Sequence, residues 1–395
     1  MTESDCMTEE RWQWGKRWIA TWAPAFLILV AAVAVGFLRE GKGLPLPLAF
    51  VEEITASTPK IGHVPLPEEV RGFYWTTQTA GSTRAEQLLG YMEQTGLNAV
   101  VIDLKNDAGG IGFAVQDPSL APYQMNEPYV ADLDALLKRL GEQGIYRIAR
   151  LAVMKDSVFA SAHPTIALHT RNGNLWYDKI GNLWIDPTAP ALTDYALALA
   201  REAYARGFDE IQFDYIRFPS DGALGNIVYP LHDRSATTEV AAMQEVWKRL
   251  GAPLRAEGIP VSFDLFGMTF LRTDDFGIGQ RLVDVFQYAD FISPMVYPSH
   301  YPNGFEGYGN PALYPYEIVK RSLDEGAKLL ESEAGILPEA SRPKFRPWLQ
   351  DFDIGAVYTA ARIEAQIQAA RDAGASGWML WNARNVYEPA QYLPK

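Results

Sequence analysis

Strand-like and helix-like runs alternate eight times between residue 69 and the end of the chain, and this alternation restricts the fold more than any other feature. Residues 72–76 (GFYWT) form a short apolar run, and 84–95 behind it are amphipathic. Residues 98–105 (NAVVIDLK) read as the second strand, followed by a helix over 131–142 with Leu133, Leu136, Leu137 and Leu140 on one stripe. The third strand is 146–153, and a long insertion then leads to a helix over 192–206. In the fourth, within GFDEIQFDYIRFPSDG at 207–222, Ile211, Phe213 and Tyr215 alternate with Gln212, Asp214 and Ile216. Residues 260–267, 291–298, 342–352 and 377–383 supply the fifth to eighth strands, with helices over 239–257, 316–330 and 359–373. Eight such units in roughly 320 residues predict an α/β fold, a (β/α)8 TIM barrel over 69–395. A doubly wound open sheet is the competing architecture, but no G-x-G-x-x-G follows the first strand.

Ahead of the barrel, residues 18–38 (WIATWAPAFLILVAAVAVGFL) carry no charge over 21 positions, enough for a helix of roughly 31 Å, about one hydrocarbon core. Arg11, Lys16 and Arg17 precede the run, and Trp12, Trp14, Trp18 and Trp22 fall at its edge. The expectation is a transmembrane anchor at 18–38, a short cytoplasmic tail at 1–17, and a single-pass cell-membrane protein whose bulk is extracytoplasmic. A cleaved signal peptide, with Ala32-Val33-Ala34 as the small-residue site, is the alternative and places the bulk on the same side. Residues 39–68 hold Gly41, Gly43, Pro45, Pro47, Pro59, Pro65 and Pro67 without periodicity and read as a tether.

Composition removes several function classes. A net charge of −13 argues against nucleic acid, which needs a basic surface. One cysteine, Cys6, permits neither an intrachain disulfide nor a cysteine-built zinc site. Five histidines show no metal-binding spacing, and G-x-S-x-G is absent. A hard cation among Asp103, Asp107 and Asp214 is the open alternative, but no spacing demands it, so the expectation is no metal and no other cofactor.

In a barrel of parallel strands, the C-terminal strand ends converge on one mouth. There the sequence sets Asp103, Arg150, Asp214, Asp264, Tyr297, Trp348, Gln350, Trp381 and Asn382, with Arg217 just beyond the fourth strand. Acids among many aromatic rings suit a sugar site, because glycosidic cleavage uses one carboxyl as proton donor and a second to attack or stabilise the sugar centre. Asp214 also fits a turn cap before Pro219 and Asp221-Gly222, and Asp264 fits a structural salt bridge to Arg150 or Arg217. The insertion after the third strand reads as a hairpin, with Lys179 to Gly181 near its tip and Trp176 and Trp184 on its arms. Those two rings either cover carbohydrate or pack the hairpin on the barrel.

VIDLKND, the hairpin's G-x-x-W-I-D-P, GFDEIQFDYIRFPSDG, FGMT, ISPMVYPSHY, RPWLQDF and GWMLWNA, in this order, resemble a glycoside-hydrolase-type domain of bacterial envelope proteins. That family was first catalogued as a domain of unknown function and looks like a barrel relative of the α-amylases. The resemblance implies a nucleophile at Asp214 and a general acid at Asp264. It departs from the amylase pattern in two places: the acid is Asp rather than Glu, and Gln212 stands where an arginine precedes the nucleophile. The expected function is hydrolysis of an extracytoplasmic polysaccharide or oligosaccharide by Asp214 and Asp264. Asp103, Arg217, Arg150 and Gln350 would support them, while Trp75, Trp176, Trp184, Tyr297, Trp348, Trp381 and Asn382 hold sugar. The alternatives are a membrane-tethered, non-catalytic glycan-binding barrel and a metal-dependent polysaccharide deacetylase.

Overall fold

Eight parallel strands close on themselves in the computed structural model, which describes residues 62–387. They are β1 (Val70–Trp75), β2 (Ala99–Asp103), β3 (Tyr146–Ala152), β4 (Glu210–Asp214), β5 (Val261–Phe266), β6 (Phe291–Met295), β7 (Trp348–Gln350) and β8 (Gly377–Trp381). Each pairs with its sequence neighbours, and β1 closes the ring against β8. The six longer helices outside them are α1 (Thr83–Thr95), α2 (Leu133–Glu142), α3 (Pro190–Arg206), α4 (Glu239–Ala256), α5 (Pro315–Ala334) and α6 (Ala360–Asp372). The expected TIM barrel is therefore present. The anticipated membrane run at 18–38 lies outside the described residues, and among these no helix is long and apolar enough to cross a membrane.

Local sequence explains where the helices start and stop. Ser82, Asp132 and Thr238 cap α1, α2 and α4 by accepting from the backbone N–H of Arg84, Ala135 and Ala241. Pro190 and Pro315 open α3 and α5, where a missing N–H costs nothing. Gly207 ends α3 at φ 113°, a left-handed geometry that a side chain would oppose. Each helix then turns an apolar stripe to the barrel, as Leu133, Leu137 and Leu140 do in α2. Burying each such leucine stabilises the fold by about 1.5–3 kcal/mol.

Most of the expected strands are shorter in the structure, the sixth and seventh among them. The seventh, anticipated over 342–352, contains only Trp348–Gln350, because Pro343 and Pro347 lack the N–H a ladder needs. The sixth, anticipated over 291–298, ends at Met295. Between β5 and β6 the chain makes only short turns of helix, including Leu282–Val285.

Strand parity separates two interiors. Phe73, Trp75, Val100, Ile102, Leu151, Phe213 and Phe263 face the helices and build the outer core. Tyr74, Val101, Tyr146, Ile148, Trp348 and Met379 fill the lumen. The lumen is also polar at its base: Glu210 accepts from Arg346 Nη2 (2.6 Å), Tyr146 Oη (3.1 Å) and Ser262 Oγ (2.6 Å). One turn of side chains above, Gln212 Nε2 donates to Ser293 Oγ at 3.2 Å. This stack of polar and apolar residues blocks the tube and leaves only the C-terminal mouth open to build on.

Candidate active site

Asp103 and Arg150 are register partners on β2 and β3, so their side chains meet directly across the ladder. Arg150 Nη1 donates to Asp103 Oδ1, and its Nη2 donates to Asp214 Oδ2 from the end of β4. Its Nε lies 3.6 Å from Asp264 Oδ2 on β5. Three carboxylates therefore gather on one guanidinium. Tyr74 Oη donates to the remaining oxygen of Asp103. The Tyr74 and Trp381 rings stack at 4.1 Å, and Arg150 rests 4.9 Å over Trp381, so the cation is fixed by charge and by rings together.

Asp214 Oδ1 accepts from the backbone N–H of the next residue, Tyr215, whose φ of 49° is unusual for a side chain of that size. Such a conformation costs on the order of 1–3 kcal/mol and recurs where function demands a particular direction. Here it turns the chain sharply at the end of β4. Asp264 is 1% exposed. Its Oδ1 accepts from Trp348 Nε1 at 2.9 Å, while Oδ2 has no hydrogen-bond partner among the described residues.

Burial, and then the negative charge of Asp214, push the Asp264 carboxyl well above the usual carboxylate range; Arg150 and the Trp348 N–H oppose the shift without cancelling it. Burial raises Asp103 as well, against the pull of Arg150 and Tyr74. For Arg150 itself, burial acts downward, but Asp103 and Asp214 outweigh it and hold the guanidinium well above its ordinary value. The arrangement sets a buried carboxyl pushed toward its protonated form beside the ion-paired Asp214 of the adjacent strand.

Both open onto one space. A cavity of about 190 Å³ is lined by Asp214 and Asp264, with Arg217, Tyr297, Trp348 and Trp381 among its walls. A second cavity of about 470 Å³ lies over Asp103 and Lys155 and shares Arg150, Tyr215 and Trp381 with the first. The tip of the hairpin borders it through Ile180 and Asn182. The predicted hairpin is present, closed by the Tyr177–Leu183 bridge.

Residues 72–387, about four-fifths of the chain, match the family described as a putative glycosyl hydrolase domain. The chain belongs to that family. By membership it is a putative glycosidase, and the barrel is the family's hydrolase domain. The solved glycoside hydrolase domain of PgaB (BpsB) from Bordetella bronchiseptica is 15% identical over 80% of this chain and 94% of its own, with a TM-score of 0.56. The α-L-fucosidase isoenzyme 2 of Paenibacillus thiaminolyticus is 14% identical over 82% of this chain and 48% of its own, with a TM-score of 0.51. At these identities the likeness is one of fold. A hypothetical protein from Ruminiclostridium thermocellum is 29% identical over 52% of this chain and 98% of its own, with a TM-score of 0.43. No curated protein matches the chain.

Within the hydrolase domain the residues expected at the mouth divide into two groups. Asp103, Arg150, Asp214, Asp264, Arg217, Tyr297, Trp348 and Trp381 line the two cavities. Trp75 does not join them. It points to the helices and packs edge-on against Phe73 at 5.6 Å, because the inward position of β1 belongs to its neighbour Tyr74. Trp176 is also packing: it is 1% exposed, and its Nε1 donates to the carbonyl of Ala223 at 3.2 Å. Trp184 is buried too, donating to Asp178 Oδ2 at 3.0 Å and lying beneath the Arg217 guanidinium. Asn382 serves a turn, donating to the carbonyls of Asp351 and Val386 and accepting from the Arg384 N–H. Gln350 acts at one remove, accepting from the Ser299 N–H at 3.1 Å and donating to the Phe352 carbonyl at 2.9 Å. Arg217 was expected to pair with a carboxylate, and it stacks on rings instead.

Tyr74, Tyr215 and Lys155 are among the site residues that the sequence did not single out. The period-2 rule held a signal for Tyr74, since Asp103 and Asp214 also sit at inward parity, but an apolar run such as GFYWT gives no phase of its own. Arg150, the register partner of Gln212 on the next strand, reaches Asp214.

Proposed function

We propose that this protein hydrolyses glycosidic bonds of an extracytoplasmic polysaccharide or oligosaccharide, with Asp264 as the acid and Asp214 as the nucleophile or stabilising carboxylate. The observation that carries the reading is that these two groups, from adjacent strand ends, line one aromatic-walled cavity in different electrostatic settings. Asp264 is pushed toward its protonated form by burial, which suits delivery of a proton to a leaving oxygen. Asp214 is held by Arg150 and by the Tyr215 N–H, which suits a group that must present negative charge at the sugar's anomeric carbon. Trp348 orients the acid through its N–H, and Trp381 and Tyr297 offer ring surface to the apolar faces of sugars.

The extracytoplasmic and membrane-anchored part of the reading is supported by the uncharged run at 18–38 and the basic residues before it. Hydrolysis of a glycan panel by the full-length chain, beside Asp214→Asn and Asp264→Asn, tests the chemistry. Turnover by the parent that both variants lose supports the assignment. Turnover that either variant retains in full removes that residue from the reaction. Glycan affinity without any turnover would transfer the protein to the binding-barrel alternative.

A further inference from the structure

Six lysine and arginine residues are buried among the described residues: Lys105, Arg147, Arg150, Lys155, Arg217 and Arg346. Four of them have carboxylate partners. Lys105 pairs with Asp156 at 2.6 Å, Arg147 with Asp209 at 2.7 Å, Arg346 with Glu210 at 2.6 Å, and Arg150 with the acids of the site. Lys155 and Arg217, 9% and 7% exposed, are in no ion pair among the described residues. Burying a cation without a counter-charge is costly, so an unpaired one inside a cleft marks a place where the charge is supplied from outside.

Both lie at the mouth. The Lys155 ammonium sits 3.9 Å from the centroid of the Tyr215 ring and lines the larger cavity. The Arg217 guanidinium lies 5.4 Å from the same ring and 4.6 Å from Phe266, and it lines the smaller cavity. Its Nη1 donates to the Phe218 carbonyl at 3.1 Å, which leaves most of the fork uncommitted. Burial moves Arg217 below the ordinary arginine range and outweighs the attraction of Asp214, Asp221 and Asp178, none of which forms an ion pair with it. The carboxylates that do pair with Arg150 shift that group upward. The two cavities share Tyr215, so a glycan crossing from one to the other passes both cations.

We propose that the glycan bound here is acidic, a saccharide with carboxylate or phosphate groups, one met by Lys155 and another by Arg217. The proposal rests on the reading of the cleft as a glycan site and names the class of glycan it takes. Arg150, ion-paired to both Asp103 and Asp214, offsets part of the negative charge that such a chain would meet on the floor. A net charge of −13 gives the whole molecule no long-range attraction for an anion, so the preference must come from these two side chains.

The test uses the full-length chain carrying Asp214→Asn, so that binding is read without turnover. Affinity is measured by calorimetry for an oligouronide, for the same oligouronide after its carboxyls are reduced to alcohols, and for a phosphodiester-linked glycan. At least one acidic ligand is expected to bind about tenfold more tightly than the reduced one, and which one does so identifies the anion. Adding Lys155→Gln should bring that preference several-fold closer to parity, and Lys155→Arg should restore it. Equal or absent affinity for all three ligands overturns the proposal, as does a preference untouched by Lys155→Gln and Arg217→Gln together. If the parent chain cleaves only neutral glycans, this inference fails and the hydrolase reading stands. If it binds acidic glycans selectively and cleaves none, the hydrolase reading fails and this inference stands.

Discussion

Glu210 and Asp214 lie on the same lumen-facing side of β4, and both are ion-paired to an arginine, yet the two ends of the barrel treat them differently. At the base, Arg346, Tyr146 and Ser262 engage both oxygens of Glu210, which is fully buried. At the mouth, Asp214 opens onto a cavity, and the neighbouring Asp264 Oδ2 and Arg150 Nε have no hydrogen-bond partner among the described residues. The pairing chemistry is alike at the two ends. What separates a plug from a site is the cavity. Both ends keep buried polar atoms without hydrogen-bond partners, Arg346 Nε and Nη1 at the base as well as Asp264 Oδ2 and Arg150 Nε at the mouth. Only the mouth acids line an open space among the described residues. The lower pair ties β4 to the segment just before β7, while the upper group lines a cavity that a substrate can enter.

The comparison predicts opposite phenotypes. Asp264→Asn should lower hydrolysis about 10²–10⁴-fold, the range of a lost general acid, with thermal unfolding showing a folded barrel. Glu210→Gln should do the reverse. It leaves Arg346 buried without its counter-charge and should cost about 3–5 kcal/mol of stability, read as a lowered denaturant midpoint, while the rate per folded molecule is kept. A stability loss confined to the mouth variant, or a rate loss confined to the base variant, would break the division.

A pH series sharpens it. Because the folded-state pKa of Asp264 lies above its unfolded value, its contribution to stability is complete below the ordinary carboxylate pKa of about 3.9 and disappears as pH rises through the raised value. Asp264→Asn carries no such titration, so its melting temperature should gain on the parent as pH rises from acid toward neutral. The parent's hydrolysis should fall only at higher pH, as Asp264 in the folded chain loses its proton through the raised value. A melting-temperature difference that stays flat with pH would mean Asp264 titrates alike in the folded and unfolded chains.

Smaller effects follow from single contacts. Trp348→Phe removes the N–H that Asp264 Oδ1 accepts, a bond that pulls the acid's pKa down. The rate should fall about tenfold, and the alkaline limb of its pH profile should move upward. Trp75→Phe, at a ring facing the helices, should leave glycan affinity where it is, whereas Trp381→Ala at the cavity wall should weaken it several-fold in the same titration.

Much of this was legible in the chain. The eight strand-and-helix units, the hairpin at Trp176 and Trp184, and the gathering of Asp103, Arg150, Asp214 and Asp264 at one mouth all follow from order and period, which are local properties. The aromatic residues were harder. A tryptophan satisfies a buried core and a sugar platform equally well, so Trp75, Trp176 and Trp184 fitted both readings until their burial separated them from Trp381. The hydrogen-bonding of Asn382 within its own turn was hidden for a similar reason: an amide beside a strand end serves turn or ligand with the same atoms.

Hydrophobic period, caps and prolines act within a few residues of themselves, so the order of residues already specified a ring of parallel strands and which strand ends carry acids. It took the folded barrel to set Arg150 between Asp103 and Asp214, to stack Arg217 on rings, and to leave Lys155 over Tyr215 with no ion-paired carboxylate. Those outcomes depend on strand register and on how the barrel closes, which bring together groups far apart in the chain and allot each charge a partner or none.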